Sequence, residues 1–136
     1  MTTNSDFKKN YSLFIKKPTY SIEVFVWEME ENFWIWNVYV YLLKTNKLFN
    51  DVKSAKNLPF HGGCTLDKFF TNEPALGIEY EWQKEDKTLK VGCDYNHLDD
   101  DYYNQCNPNN GIPPEIISDV DRLIQAIEEF NNEIIY

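Results

Sequence analysis

Residues 21–30 read SIEVFVWEME and residues 33–43 read FWIWNVYVYLL, with Glu31 and Asn32 between them. In the first stretch Ile22, Val24 and Val26 alternate with Glu23, Phe25 and Trp27. β-Branched and aromatic residues run throughout, which is the pattern of a strand. The second stretch has the same character, so the two predict an antiparallel hairpin that turns at Glu30, Glu31 and Asn32. Both faces carry apolar side chains, so the hairpin should lie centrally in a sheet or be covered on both sides.

Working outward, residues 77–95 read GIEYEWQKEDKTLKVGCDY. Ile78, Tyr80 and Trp82 alternate with Glu79, Glu81 and Gln83, EDK turns, and Leu89, Val91 and Cys93 alternate again, which predicts a second hairpin. Between the hairpins, KTNKLFNDVKSAKNLP lacks a steady period and ends on Pro59, so it reads as a loop. NHLDDDYYNQCNPNNG reads as a second loop from its Asn, Asp, Pro and Gly content. Pro113 and Pro114 can open a helix. Ile116, Val120, Leu123, Ile127 and Phe130 then recur at helical spacing, and Glu115, Asp119 and Asp121 suit the positive end of its dipole. The expected fold is α+β, an antiparallel sheet of about four or five strands with one C-terminal amphipathic helix packed on it.

The 136 residues suit a single domain over 1–136, with 1–20 expected as a flexible N-terminal arm. The chain is 43% hydrophobic and 16% aromatic, too much apolar surface for a disordered protein. The longest apolar runs are interrupted and fall short of the roughly 20 residues a bilayer span needs. The N-terminus lacks the apolar stretch of a secretion signal, so a cytoplasmic location is expected. Cys64, Cys93 and Cys106 form no CxxC pair, and free thiols in a reducing compartment are expected.

The net charge of −9 is unevenly placed. All of the acidic excess lies after residue 93, where ten acids face Arg122 alone. Such a surface repels phosphate backbones, so no direct nucleic-acid binding is expected. The lysines at 8, 9, 16 and 17 and at 44, 47, 53 and 56 are scattered in the manner of a solvated surface. Neither a phosphate-binding G-x-x-x-x-G-K, a G-x-G-x-x-G nor a G-x-S-x-G occurs, and no cofactor is expected.

Both histidines fall where the strand pattern breaks. HGGCT, residues 61–65, puts His61 before Gly62 and Gly63. Paired glycines predict a positive-φ turn or a close approach of backbone to another group. NH groups freed by such a turn can bind an anion, with the Thr65 hydroxyl as a further donor. DYNHLDD, residues 94–100, gathers Asp94, His97, Asp99 and Asp100 just past a strand end, where side chains can converge on a ligand. A carboxylate beside an imidazole orients it and fixes its tautomer, as a general acid or base requires. The plainer alternatives are a β-bulge at the glycines and a solvated acidic turn at 94–100.

Taken together, His61, Gly62, Gly63 and Thr65, then Trp82, then Gly92, Asp94, His97 and Asp100 resemble a family of small, mostly phage-borne and prophage-borne proteins of uncharacterised function. Its members carry HGG-x-T, a Trp-rich strand and G-x-D-x-x-H-x-x-D. The resemblance covers roughly residues 59–103 and departs from the family at Cys64, Leu66 and Cys93. It carries no reaction across and implies a phage setting.

Three functions fit these residues. In the first, His61, His97 and Asp94 form a catalytic set, with Gly62, Gly63, Thr65, Asp100 and Trp82 binding a small polar or nucleotide-like ligand. Hydrolysis would use one histidine as base and the other as acid. The two-histidine phosphodiesterases work in this way but need H-x-T or H-x-S twice, which this chain lacks. In the second, the acidic face makes the chain a non-enzymatic interaction protein, such as an inhibitor or nucleic-acid mimic acting on a host defence protein. In the third, His61, His97, Asp94 and Asp100 hold a metal, although no HxH or HExxH spacing supports it. The aromatic hairpin residues Trp27, Trp34, Trp36, Tyr39 and Tyr41 read as core or as the face of a homodimer.

Overall fold

A computed structural model describes residues 10–71 and 87–132 of the chain. Among the described residues five strands form one sheet: β1 (Asn10–Lys16), β2 (Tyr20–Glu30), β3 (Phe33–Leu42), β4 (Leu66–Thr71) and β5 (Lys87–Asp94). Their order is β1-β2-β3-β5-β4, and every neighbouring pair is antiparallel. One long helix, α3 (Pro114–Asn131), completes an α+β fold. Two short helices, α1 (Val52–Lys56) and α2 (Asp101–Asn104), lie in the connections. No helix among the described residues is long and apolar enough to cross a membrane.

The β2–β3 hairpin forms as its alternation requires. Ile22 faces Val40 and Val24 faces Val38, so these β-branched pairs share one side of the sheet. Asn32 adopts φ 61 at the turn, and Glu28 Oε2 accepts its NH at 3.0 Å. The register slips between Glu28 and Glu30, next to that turn. Ile22, Val24, Trp36, Val38 and Val40 pack in one buried cluster with Ile116, Val120, Leu123 and Ile127 of α3. The helix thus buries its apolar stripe on this face, and Pro114 stands at its first turn, where the missing NH costs nothing. Asp119, one of the acids read at the positive end of the helix, is buried and accepts the Tyr95 hydroxyl at 2.7 Å.

Three elements depart from the sequence reading. Of the stretch 1–20 expected as an arm, residues from Asn10 to Lys16 form β1, whose Leu13 faces Val24. The stretch 44–59, read as loop, contains a 3-10 turn at Lys47–Asn50 and α1, with Leu48, Ala55 and Leu58 buried. Asn46 and Asp51 cap these turns by accepting the NH groups of Leu48 and Ser54. β5 pairs with β3 on one side and with β4 on the other. Leu66–Thr71 therefore takes the edge that the second predicted hairpin assigned to Ile78–Trp82, a stretch outside the described residues.

Trp34, Trp36 and Tyr41 are buried within the chain. Of the hairpin aromatics considered for a homodimer face, only Trp27 and Tyr39 retain substantial exposure.

Candidate functional site

Two connections meet at the end of β5. Phe60 O accepts the Gly63 NH at 3.0 Å, closing a turn with His61 and Gly62 at its centre. Gly62 has φ 69 at the third position of that turn, where an L side chain would be strained. After the turn, Thr65 NH donates to Gly92 O at 2.8 Å and β4 zips along β5. That ladder carries His61 to the point where β5 ends and DYNHLDD begins.

The second connection is anchored from beneath. Tyr95 NH donates to Trp36 O at 2.8 Å, and the Trp36 indole NH donates to Cys106 O at 3.0 Å. The buried Asn104 side chain donates to Trp34 O at 2.9 Å and to Asn96 Oδ1 at 3.3 Å. The loop is therefore tied to β3 at Tyr95 and again at Asn104 and Cys106, with α2 and a 3-10 turn at Pro108–Asn110 as its regular structure.

Between the two connections Asp100 joins both histidines. Its Oδ1 lies 2.8 Å from His61 Nε2, and its Oδ2 lies 2.9 Å from His97 Nδ1. Oδ2 also accepts the His97 backbone NH at 2.9 Å. The imidazole centroids are 5.7 Å apart. The Asp100 side chain is 6% exposed, against 27% for His61 and 41% for His97, so a buried carboxylate holds two solvent-accessible rings. Burial alone would push the Asp100 carboxyl up. The His97 NH and the two imidazoles outweigh that and hold it below the ordinary carboxylate value.

Ring packing fixes the rest of the geometry. His61 stacks on Tyr95 at 4.3 Å with 14° between planes and meets Tyr103 edge-on at 5.5 Å. Gly62 lies against His97, and a Cβ there would stand 3.0 Å from His97 Cε1. The glycine thus serves both a positive-φ turn and a close approach, here to a side chain. With Nε2 of His61 and Nδ1 of His97 donating to Asp100, the neutral rings keep lone pairs on His61 Nδ1 and His97 Nε2.

The structure brings together His61, His97, Asp100 and Gly62. Asp94 stands at the margin, half exposed, with Oδ1 at 3.5 Å from His97 Nε2 and at 3.3 Å from the Asn96 NH it accepts. Two expected members stand apart from this cluster. Thr65 is exposed and joins through its backbone NH, because the start of the β4–β5 ladder fixes it there. Gly63 has φ 90 and no atom within 4 Å of an added Cβ, and its NH is already used by Phe60 O, so it serves the turn. Trp82 lies outside the described residues. Tyr95 and Tyr103, which brace His61, were missed. Tyr95 had a signal in its alternation with Cys93 and Val91, whereas Tyr103 had none.

His61, His97 and Asp100 each offer a ligand atom, all within 4.8 Å of one another. Two imidazoles with a carboxylate form a donor set that suits a divalent transition ion, and Asp100 would have to give up an imidazole hydrogen bond to ligate it. Cys93 is no nucleophile for the site. Burial pushes its thiol to about 12, despite the opposing hydrogen bond from the His61 backbone. Leu98, next to His97 in sequence, is 91% exposed.

The chain matches no family model, no curated protein and no solved structure.

Proposed function

We propose that the protein binds a small polar, nucleotide-like ligand bearing a phosphate group at His61, Asp100 and His97, and acts on it by proton transfer. The observation that carries this reading is the division of one buried carboxylate between two part-exposed imidazoles 5.7 Å apart. A carboxylate that merely latched two loops would need only one such bond. With each imidazole bonding Asp100 through one ring nitrogen, the second nitrogen of each ring is left to exchange a proton with a ligand, one ring taking it while the other gives one. The order of HGG-x-T and G-x-D-x-x-H-x-x-D supports kinship with phage-borne proteins. His61→Ala and His97→Ala test the reading. Each should lower hydrolysis of a nucleotide phosphodiester by about 100-fold, with a bell-shaped pH profile only in the parent protein. Equal rates in all three proteins would remove acid–base chemistry from the site.

A second reading has its own observation: Glu115, Asp121, Glu128 and Glu129 are exposed on α3. A helix presenting this charge fits an acidic inhibitor or nucleic-acid mimic directed at a host defence protein. Reversing Glu128 and Glu129 to lysine should then abolish inhibition of the target defence nuclease, and retained inhibition would count against it.

A further inference from the structure

Among the described residues β1 has β2 on one side and no strand on the other. The unpaired NH and C=O groups of such an edge are a template for a further strand, and a central lysine, a proline or a bulge is the usual defence against one. NYSLFIK has none of these inside it. Its register with β2 runs unbroken from Asn10 to Lys16, and its one charge stands at its last residue. Tyr11, Leu13 and Phe14 are 40%, 48% and 41% exposed, three of the seven large apolar side chains most open among the described residues, so the exposed apolar surface concentrates on this edge.

The closure of the β1–β2 hairpin fixes which backbone groups face outward. Lys17 NH donates to Tyr20 O at 2.8 Å, so these two residues are a hydrogen-bonded pair. Bonded and unbonded pairs alternate along an antiparallel ladder, which assigns Ile15, Leu13 and Tyr11 to bonds with β2. Asn10, Ser12, Phe14 and Lys16 therefore turn their NH and C=O groups away from β2. A second β1 laid antiparallel, with Leu13 on the two-fold axis, sets Ser12 against the partner's Phe14 and Asn10 against the partner's Lys16. Outward groups then meet outward groups along the whole strand. A shift of one residue would set Ser12 against the partner's Leu13 and lose every such bond.

We propose that β1 is the interface of a homodimer, two copies joining into one continuous sheet across a two-fold axis at Leu13. The side chains fit this arrangement. Tyr11, Leu13 and Ile15 share the α3 side of the sheet, since they face Val26, Val24 and Ile22. On that side Tyr11 and Leu13 form the outer rim of a recess of about 110 Å³ whose walls include Val24, Val26, Trp36 and Ile112. That is well below the roughly 300–1,000 Å³ of small-molecule sites and suits a side chain. The partner's Leu13 stands at this rim, and by symmetry each copy offers the other the same contact. Charge favours the same orientation. Lys16 and Lys17 lie at one end of the β1–β2 ribbon and Glu28 and Glu30 at the other, so antiparallel pairing sets unlike ends together. A parallel pairing would set like ends together in two chains that each already carry −9. The proposal is independent of the His61, Asp100 and His97 reading.

Sedimentation equilibrium of the full chain tests it and should show a monomer–dimer equilibrium at concentrations below about 1 mM. Phe14→Pro removes an outward NH from each copy and none from the β1–β2 ladder, so it should weaken the dimer by about 30-fold and leave the far-UV circular dichroism unchanged. Leu13→Cys sets two thiols across the axis at a Cα separation of about 4.5 Å, within disulfide range. Mild oxidation should then link position 13 to position 13, read by peptide mass, rather than to Cys64 or Cys106. Ile117→Cys, on exposed α3, should not link. A monomer at every concentration up to about 1 mM, a dimer undiminished in folded Phe14→Pro, or equal cross-linking at position 117 would each overturn it. Should Phe14→Pro fail to fold, the Leu13→Cys cross-link decides, and its absence overturns the interface.

Discussion

Asp100→Ala is expected to cost about 3 kcal/mol of stability and to abolish whatever activity the two histidines support. Three hydrogen bonds end on this one carboxylate, and two come from imidazoles with no other carboxylate bond as short. Bonds to a charged, buried acceptor contribute about 1.5–3 kcal/mol each in the pairs where they have been isolated, with shared acceptors giving less than the sum. The pH dependence has a definite sign. Asp100 is held below its unfolded value, near 3.9, so its stabilisation is complete above that pH and is lost as the pH falls through the lower folded value. Urea midpoints of the parent and the variant should therefore differ clearly at about pH 5 and converge as the pH falls through the carboxylate range. A difference that persists undiminished as the pH falls through the carboxylate range would reverse the assignment of Asp100 as the ionised partner.

Trp36→Ala should be the most damaging change to the sheet, at about 4 kcal/mol. Trp36 is fully buried, its indole NH donates to Cys106 O, and its backbone carbonyl receives the Tyr95 NH. Truncation leaves both a cavity and an orphaned carbonyl in the connection that carries His97 and Asp100. A loss of that size is a large share of the roughly 5–15 kcal/mol that hold a domain folded. The same substitution at half-buried Trp27 should cost much less. Equal losses at the two positions, measured by thermal or urea unfolding, would mean that Trp36 is not the anchor described.

The central hairpin and α3 were legible because each carries a long, unbroken period: alternation through ten or eleven residues of β2 and β3, and five apolar positions at helical spacing in α3. β1 also alternates, with Tyr11, Leu13 and Ile15 against Ser12, Phe14 and Lys16. It is an edge strand, however, so polar flanks outweigh its apolar residues. β4, LDKFFT, is six residues without alternation and is a strand because β5 offers it an edge. α1 and the 3-10 turn before it rest on Leu48, Ala55 and Leu58, too few residues to make a period. Within the site, the spacing of Asp94, His97 and Asp100 announced a local cluster. The arrival of His61 depended on the Thr65–Gly92 bond and the β4–β5 register, which lie outside any local pattern. Which carboxylate joins the histidines was also invisible in the sequence, since burial decides it in favour of Asp100 over Asp94.

The central claim is that one carboxylate sets both imidazoles. A long-range proton–nitrogen NMR spectrum of the imidazoles, recorded where both rings are neutral, tests it directly. The expected result is two opposite, fixed tautomers, with the proton on Nε2 of His61 and on Nδ1 of His97. Two rings with the same tautomer, or both averaging freely between forms, would contradict it.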